Sequence, residues 1–178
     1  MLRAKHYSTF PAKFTLVAAA NPCPCGFYNN PEKQCTCTAS QVQKYRRKLS
    51  GPLMDRIDLF ISVPQLKYEK LTEKEESGLS DKIRQRVEMA RQIQEQRLKT
   101  EKMVTNSEME IPQIKKFCSV PRESQSILQR FVDSGKLSPR GFHRVLKVAR
   151  TIADLDSSEV ILNDHLSEAL MYRLQETD

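Results

Sequence analysis

The sequence predicts a mostly helical chain in two parts, an α/β segment followed by an all-α domain. Two short strands are predicted in the first part: the apolar run over 14–20, and residues 58–63, where apolar and polar residues alternate. The second part is predicted to be all-α because, from residue 79 onwards, apolar residues recur at helical spacing. A polar, charged stretch is the predicted linker, which gives the boundaries 1–66, 67–78 and 79–178.

The clearest helix signal is Ser138-Pro139, with serine as the N-cap and proline at the first helical position. The apolar residues that follow repeat at helical spacing: Phe142, Val145, Leu146, Ala149, Ile152 and Ala153. A second helix is predicted to begin at the N-cap Ser80, with the apolar stripe Ile83, Val87, Ala90 and Ile93. Shorter helices are predicted over 39–49, 53–56, 111–118, 122–134 and 163–175.

The net charge of +7 is concentrated in the first third of the chain. Residues 1–56 hold nine Lys and Arg against only Glu32 and Asp55, and the rest of the chain is neutral. Such a region attracts phosphate, whether of a nucleotide or of a nucleic acid, although a solvated basic face is the other interpretation. The candidate nucleic-acid contacts on the predicted short basic helix are Lys44, Arg46, Arg47 and Lys48.

Composition favours a soluble globular protein, with 39% hydrophobic and 29% charged residues. The longest uncharged apolar run, over 14–20, is too short to span a bilayer, and no apolar signal-peptide region follows Met1. A cytoplasmic location without a membrane partner is therefore expected.

Four of the five cysteines lie in a predicted loop over 21–38, as the pairs Cys23-x-Cys25 and Cys35-x-Cys37. Four thiolates on a short loop can bind a tetrahedral Zn²⁺ that fixes a segment without a core of its own. The alternatives are reduced free thiols and disulfide pairs, of which disulfides suit a secreted protein better. Cys118 lies in an apolar helical setting and is predicted to be a core residue.

The sequence contains no G-x-x-x-x-G-K-[ST] loop that could bind the phosphates of a nucleotide. By itself, the chain is therefore expected to bind ATP poorly and to be inactive as an ATPase. His6, His143 and His165 are scattered, and no Ser-His-Asp or Cys-His pair is indicated.

Three blocks of sequence resemble magnesium-chelatase-like AAA+ ATPases of the ComM/YifB family. Residues 14–26 (FTLVAAANPCPCG) resemble the sensor-1 strand, 50–59 (SGPLMDRIDL) the arginine-finger segment, and 137–155 (LSPRGFHRVLKVARTIADL) the sensor-2 helix. The blocks occur in family order and spacing over nearly the whole chain. In the family an N-terminal domain, Walker A and Walker B precede them, so Met1 is expected to lie inside a longer protein.

The resemblance implies a role for three residues. Asn21 would be sensor 1, which orients the attacking water or touches the γ-phosphate. Arg56 would be the arginine finger that reaches the ATP of a neighbouring subunit. Arg140 would be the sensor-2 arginine, with Arg144 and Lys147 on the same helix face. The alternatives are a turn-forming asparagine, a surface ion pair of Arg56 with its flanking aspartates, and a solvated basic face. Residues 1–66 would then be a remnant of the AAA+ core, and residues 79–178 its helical lid.

The resemblance further implies a ring, expected to be a hexamer, that hydrolyses ATP with magnesium. Branch migration or a related helicase activity on DNA, linked to competence, is the implied work, and a chelatase-type machine that remodels a protein for metal insertion is the alternative. A zinc-containing nucleic-acid-binding module without motor activity is a third possibility. The basic first third favours DNA, and Lys5, in a segment that resembles the base of the hairpin before sensor 1, is a further candidate contact.

Overall fold

The structure is a computed structural model that describes residues 2–3, 6–7, 9–10, 12, 14–48, 51–64, 66, 68 and 78–173. Its strands are β1 (Leu2–Arg3) and β2 (His6–Tyr7), and its helices are α1 (Ala39–Arg46), α2 (Gly51–Met54), α3 (Leu79–Leu98), α4 (Ile111–Phe117), α5 (Arg122–Asp133), α6 (Pro139–Leu155) and α7 (Asn163–Met171). Two 3-10 turns, Lys99–Glu101 and Asn106–Glu108, lie between α3 and α4. The chain divides into two compact units, Met1–Ser50 and Gly51–Asp178. Across the described ranges, every helix is too short or too polar to cross a membrane.

The mostly helical prediction is confirmed, but the two predicted strands are wrong. In the described residues the sheet is limited to β1 and β2, which pair antiparallel with Leu2 opposite Tyr7. Residues 14–20 and 58–63 form no strand, and most of their apolar side chains are exposed: Val17 is 90% exposed and Val63 84%. A strand is held by hydrogen bonds to a neighbouring strand, and none of the described segments pairs with either of these two. The predicted α/β remnant is therefore not supported.

The core of the second unit surrounds α6, as its apolar spacing predicted. Ser138 caps the helix by accepting a hydrogen bond from the Gly141 N–H at 3.0 Å, and Pro139 occupies the first turn. Residues from every surrounding helix pack against the buried face of α6. The buried core residues are Leu98, Met109, Ile114, Cys118, Leu128, Leu137, Val145, Leu146, Ala149, Ile152, Ala153, Ile161, Leu166, Ala169 and Leu170, with Phe142 half-buried beside them.

Helix α3 differs from its prediction at both its start and its buried face. Gly78, with a left-handed φ of +90°, precedes the helix where Ser80 was the predicted cap. Ile83 and Val87 are exposed, and the buried positions are Ala90, Gln94 and Leu98. All three lie in the second half of α3, so only that half packs into the core. The other predicted helices begin and end within about four residues of their predicted bounds.

Candidate metal centre and arginine sites

The four clustered cysteines come together in the first unit. Their Sγ atoms all lie within 4.8 Å of one another, with Cys23 buried and the other three half-buried. A tight turn brings Cys23 and Cys25 together, closed by a 3.0 Å hydrogen bond from the Gly26 N–H to the Cys23 carbonyl. Gly26 has a φ of +83°, which glycine adopts without strain. The Asn30 side chain accepts two backbone hydrogen bonds and turns the chain back towards Cys35.

The distances within the cluster fit a tetrahedral metal site. Cys23 Sγ lies 3.3 Å from Cys25 Sγ and 3.7 Å from Cys35 Sγ, and the last two atoms are 3.5 Å apart. Zn–S bonds of about 2.3 Å in a tetrahedron place the sulfurs about 3.8 Å from one another, only slightly farther than here. A disulfide requires an S–S distance of about 2.05 Å, which is much shorter than these distances, and all four thiols are free. Four sulfur donors at this spacing can hold a metal ion such as zinc.

Two thiols of the cluster have opposite acid–base properties. Backbone N–H groups of Phe27 and Thr36 lower the pKa of Cys25 to about 5. Burial is the main cause that raises the pKa of Cys37, to about 12. Without a metal ion the cluster therefore keeps part of its protons at neutral pH, and a bound cation must displace them.

Helix α1 follows the cluster directly and carries Lys44 and Arg46, and the other two predicted basic residues follow its last turn. Thr38 and Gln41 cap each other reciprocally at its start, so the helix begins two residues after Cys37. The Arg46 guanidinium lies 4.5 Å above the ring centre of Tyr28, which joins α1 to the cysteine loop. The exposed basic residues are Lys44, Arg47 and Lys48, whereas Arg46 is half-buried. Lys5 lies outside the described residues.

Asn21 is exposed in the first unit, next to the cysteine loop. A Cβ added to Gly26 would lie 4.0 Å from the Asn21 Cγ, so this carboxamide packs beside the Cys23 turn. Arg56 and Arg140 both belong to the second unit. The three predicted nucleotide contacts are thus divided between the units.

Arg56 is exposed in the turn after α2, where its N–H donates to the Leu53 carbonyl at 2.9 Å. The aspartates on either side of it bind other parts of the second unit. Asp58 pairs with Arg144 of α6. Asp55 accepts a hydrogen bond from the Ser138 hydroxyl, which lies 3.0 Å from both of its carboxylate oxygens. The segment over 55–58 is therefore fixed to the first turns of α6.

Arg140 follows Ser138 by two residues and is exposed on the first turn of α6. Arg144 and Lys147, predicted to share its face, are both engaged: Arg144 with Asp58, and Lys147 through a 2.8 Å hydrogen bond to the Ser107 carbonyl. Arg140 forms no such contact with the described residues. Of the predicted basic face, Arg140 is therefore the exposed residue that these described contacts leave unengaged.

Arg173 is a site residue that sequence reasoning missed. Its guanidinium donates to the Asp55 carboxylate at 2.8 Å and to the Asp55 carbonyl at 3.1 Å, and also to the carbonyl of Ile57. These acceptors flank Arg56 on both sides. The sequence separation of 118 between Asp55 and Arg173 hides this contact from any local motif.

Comparison with known proteins matches both the first and the second part of the chain to the same family. A family model described as "Magnesium chelatase, subunit ChlI C-terminal" matches residues 77–173, and one described as "Magnesium chelatase, subunit ChlI" matches residues 1–71. The chain is 38% identical over 172 residues to the YifB protein of Escherichia coli (strain K12), and equally to the competence protein ComM of Haemophilus influenzae. It is 34% identical over 173 residues to the protein Rv2897c of Mycobacterium tuberculosis. These matches cover 96–97% of this chain, which spans about a third of the length of these curated relatives.

Proposed function

This chain belongs to the magnesium chelatase subunit ChlI family, and from that premise we propose that it forms the C-terminal part of a ring-forming AAA+ ATPase. In the ring, expected to be a hexamer, Arg56 reaches the ATP of the neighbouring subunit. Arg140 contacts nucleotide from the helical lid, and Asn21 orients the attacking water. The phosphate-binding loop and the magnesium ligands belong to the rest of the protein, since this sequence contains no such loop.

The observation that carries this proposal is the attachment of the Arg56 segment to the start of α6. Asp55 and Asp58, which flank Arg56, bind Ser138 and Arg144, which flank Arg140. Two exposed guanidinium groups are thereby carried by one packed unit. A guanidinium group stays charged at all physiological pH values and presents a planar set of donors to phosphate oxygens. Such a pair suits a unit that contacts two nucleotides at once.

We propose that Cys23, Cys25, Cys35 and Cys37 hold a structural zinc ion. Four protein ligands leave no open coordination position, so the ion would fix the loop and would not take part in hydrolysis. It would hold the turn that carries Asn21 and the start of α1 in one arrangement. With four thiolates the site would carry a charge of about −2, which leaves the first third of the chain basic.

DNA is the proposed substrate of the motor. The exposed side chains of Lys44 on α1 and of Arg47 and Lys48 directly after it support a contact with a phosphate backbone. The H. influenzae relative is named a competence protein, which agrees with branch migration or a related activity on DNA. A chelatase-type ATPase that remodels a protein partner is the alternative, and it needs no contact between α1 and a polyanion.

ATP hydrolysis by the full-length protein, with and without DNA, tests this function. We expect hydrolysis that DNA stimulates, that Arg56→Ala lowers on the order of 10³-fold, and that the matched variant Arg130→Ala on the exposed face of α5 leaves intact. Hydrolysis that DNA leaves unchanged would favour the protein-remodelling alternative. DNA binding by a protein that does not hydrolyse ATP would contradict the motor and favour a binding module.

A further inference from the structure

Arg173 is placed to control the position of Arg56. Its guanidinium binds acceptors on both sides of that residue: the carboxylate and carbonyl of Asp55, and the carbonyl of Ile57. Only 8% of the Arg173 side chain is exposed. A guanidinium group can serve three acceptors in fixed directions because its N–H donors lie in one plane. The backbone on either side of Arg56 is thus held by one buried side chain.

The surroundings of Arg173 hold this side chain in place. The backbone N–H of Phe60 donates to the carbonyl of Tyr172 at 2.8 Å, which fixes the chain next to Arg173. A Cβ added to Gly141 would lie 3.4 Å from the Arg173 Nε and 3.3 Å from the Ser138 Oγ. Because Gly141 has no side chain, the side chains of Arg173 and Ser138 have room beside it to reach the carboxylate of Asp55.

Asp55 connects these contacts. It accepts hydrogen bonds from Ser138 at the start of α6 and from Arg173 just after α7. Both ends of the helical hairpin formed by α6 and α7 thus hold the residue that precedes Arg56. An arginine finger must hold its guanidinium in the correct position relative to the transferring phosphoryl group, and a displacement of about 1 Å from that position costs on the order of 10²-fold in rate.

We propose that Arg173 is a positioning residue for Arg56, holding the turn that presents this arginine to the neighbouring subunit's nucleotide. The inference rests on the proposed function, because it requires Arg56 to act on ATP. It goes beyond that function by assigning a role in hydrolysis to a residue that touches no nucleotide.

The test measures ATP hydrolysis and ATP affinity of the full-length protein carrying Arg173→Gln, with Arg130→Gln as the matched control. Glutamine keeps one donor group but cannot reach three acceptors. We expect kcat to fall on the order of 10²-fold, with ATP affinity, ring assembly and the unfolding temperature close to those of the control. A kcat within threefold of the control would overturn the proposal.

A double-mutant cycle separates positioning from general stabilisation. When Arg56 is already replaced by alanine, Arg173→Gln should cause no further loss of kcat, because no guanidinium remains to be positioned. A further loss as large as that in the unmodified protein would overturn the proposal. If Arg56→Ala itself leaves hydrolysis intact, the proposed function fails, whereas a loss in Arg56→Ala without one in Arg173→Gln contradicts this inference alone.

Arg173→Lys covers the case in which Arg173→Gln does not assemble. Lysine retains the positive charge but is a point donor that cannot bridge the carbonyls on both sides of Arg56. We expect a loss of about tenfold in kcat at unchanged ATP affinity. Full activity of Arg173→Lys would show that charge alone suffices, and would overturn a positioning role.

Discussion

Arg97 and Asp154 form a bidentate ion pair in the second unit, with N···O distances of 2.7 and 2.6 Å. The pair joins the last turn of α3 to the last turn of α6. Asp154 is almost fully buried and also accepts from Arg150 at 3.1 Å and from Asn106 at 2.8 Å. One buried carboxylate thus balances two arginines.

Removing that carboxylate should destabilise the second unit strongly. Asp154→Asn leaves Arg97 and Arg150 without a counter-charge, and breaking a buried pair in this way costs about 3–5 kcal/mol. Asp133→Asn on the exposed end of α5 should change the free energy of unfolding by less than about 0.5 kcal/mol. Urea denaturation of both variants measures the difference, and equal midpoints would contradict the role given to Asp154.

The cysteine cluster should bind about one zinc ion per chain. Elemental analysis of protein purified under reducing conditions without chelator measures the content. Cys25→Ser should lose the metal, and Cys118→Ser, which removes a buried core thiol outside the cluster, should keep it. Affinity should fall as the pH falls, because protons compete with zinc for the thiolates. Metal-free wild-type protein would disprove the site.

Neutralising the exposed basic residues at the end of α1 and directly after it should weaken DNA binding. The triple variant Lys44→Gln, Arg47→Gln, Lys48→Gln in the full-length protein should raise Kd for DNA and lower the slope of log Kd against log salt by about 0.9 for each phosphate that the protein no longer neutralises. A control with the same change in net charge replaces three exposed residues of α3: Lys82, Arg84 and Arg91. Equal effects of the two variants would mean that only overall charge matters.

Arg140→Ala and Arg56→Ala should affect different kinetic constants in the full-length protein. Arg140 is proposed to contact nucleotide from the lid, so its removal should raise Kd for ATP and also lower kcat. Arg56 is proposed to act on the transferring phosphoryl group, so its removal should lower kcat on the order of 10³-fold and leave Kd nearly unchanged. Equilibrium binding of labelled ATP beside steady-state hydrolysis separates the two effects, and identical profiles would contradict the separate roles.

The sequence predicted most of what local chemistry determines. The cap at Ser138, the apolar face of α6 and the grouping of four cysteines all follow from short-range spacing, and the structure contains them. The apolar run over 14–20 and the alternating segment over 58–63 both have the pattern of a strand. A strand exists only beside a partner strand, however, and the local pattern does not supply one.

Contacts between residues far apart in the chain could not be predicted either, because they depend on how the helices pack and not on local pattern. Arg173 carries no motif, and its three acceptors lie more than a hundred residues earlier in the chain. Ser138 was identifiable as a helix cap, but its second partner, Asp55, depends on the packing of α6 against the turn after α2. The first half of the apolar stripe of α3 was predicted incorrectly to be buried, because periodicity does not reveal how far the core extends along a helix.

Mixing two inactive variants of the full-length protein tests the central claim most directly. One variant carries Arg56→Ala, and the other has a disabled phosphate-binding loop but an intact Arg56. Each should be inactive alone, because every interface lacks one of the two elements. A mixed ring contains interfaces that pair an intact loop with an intact Arg56, so ATP hydrolysis should partly return. If mixed rings form and hydrolysis stays at the level of the separate variants, Arg56 does not act on a neighbouring subunit.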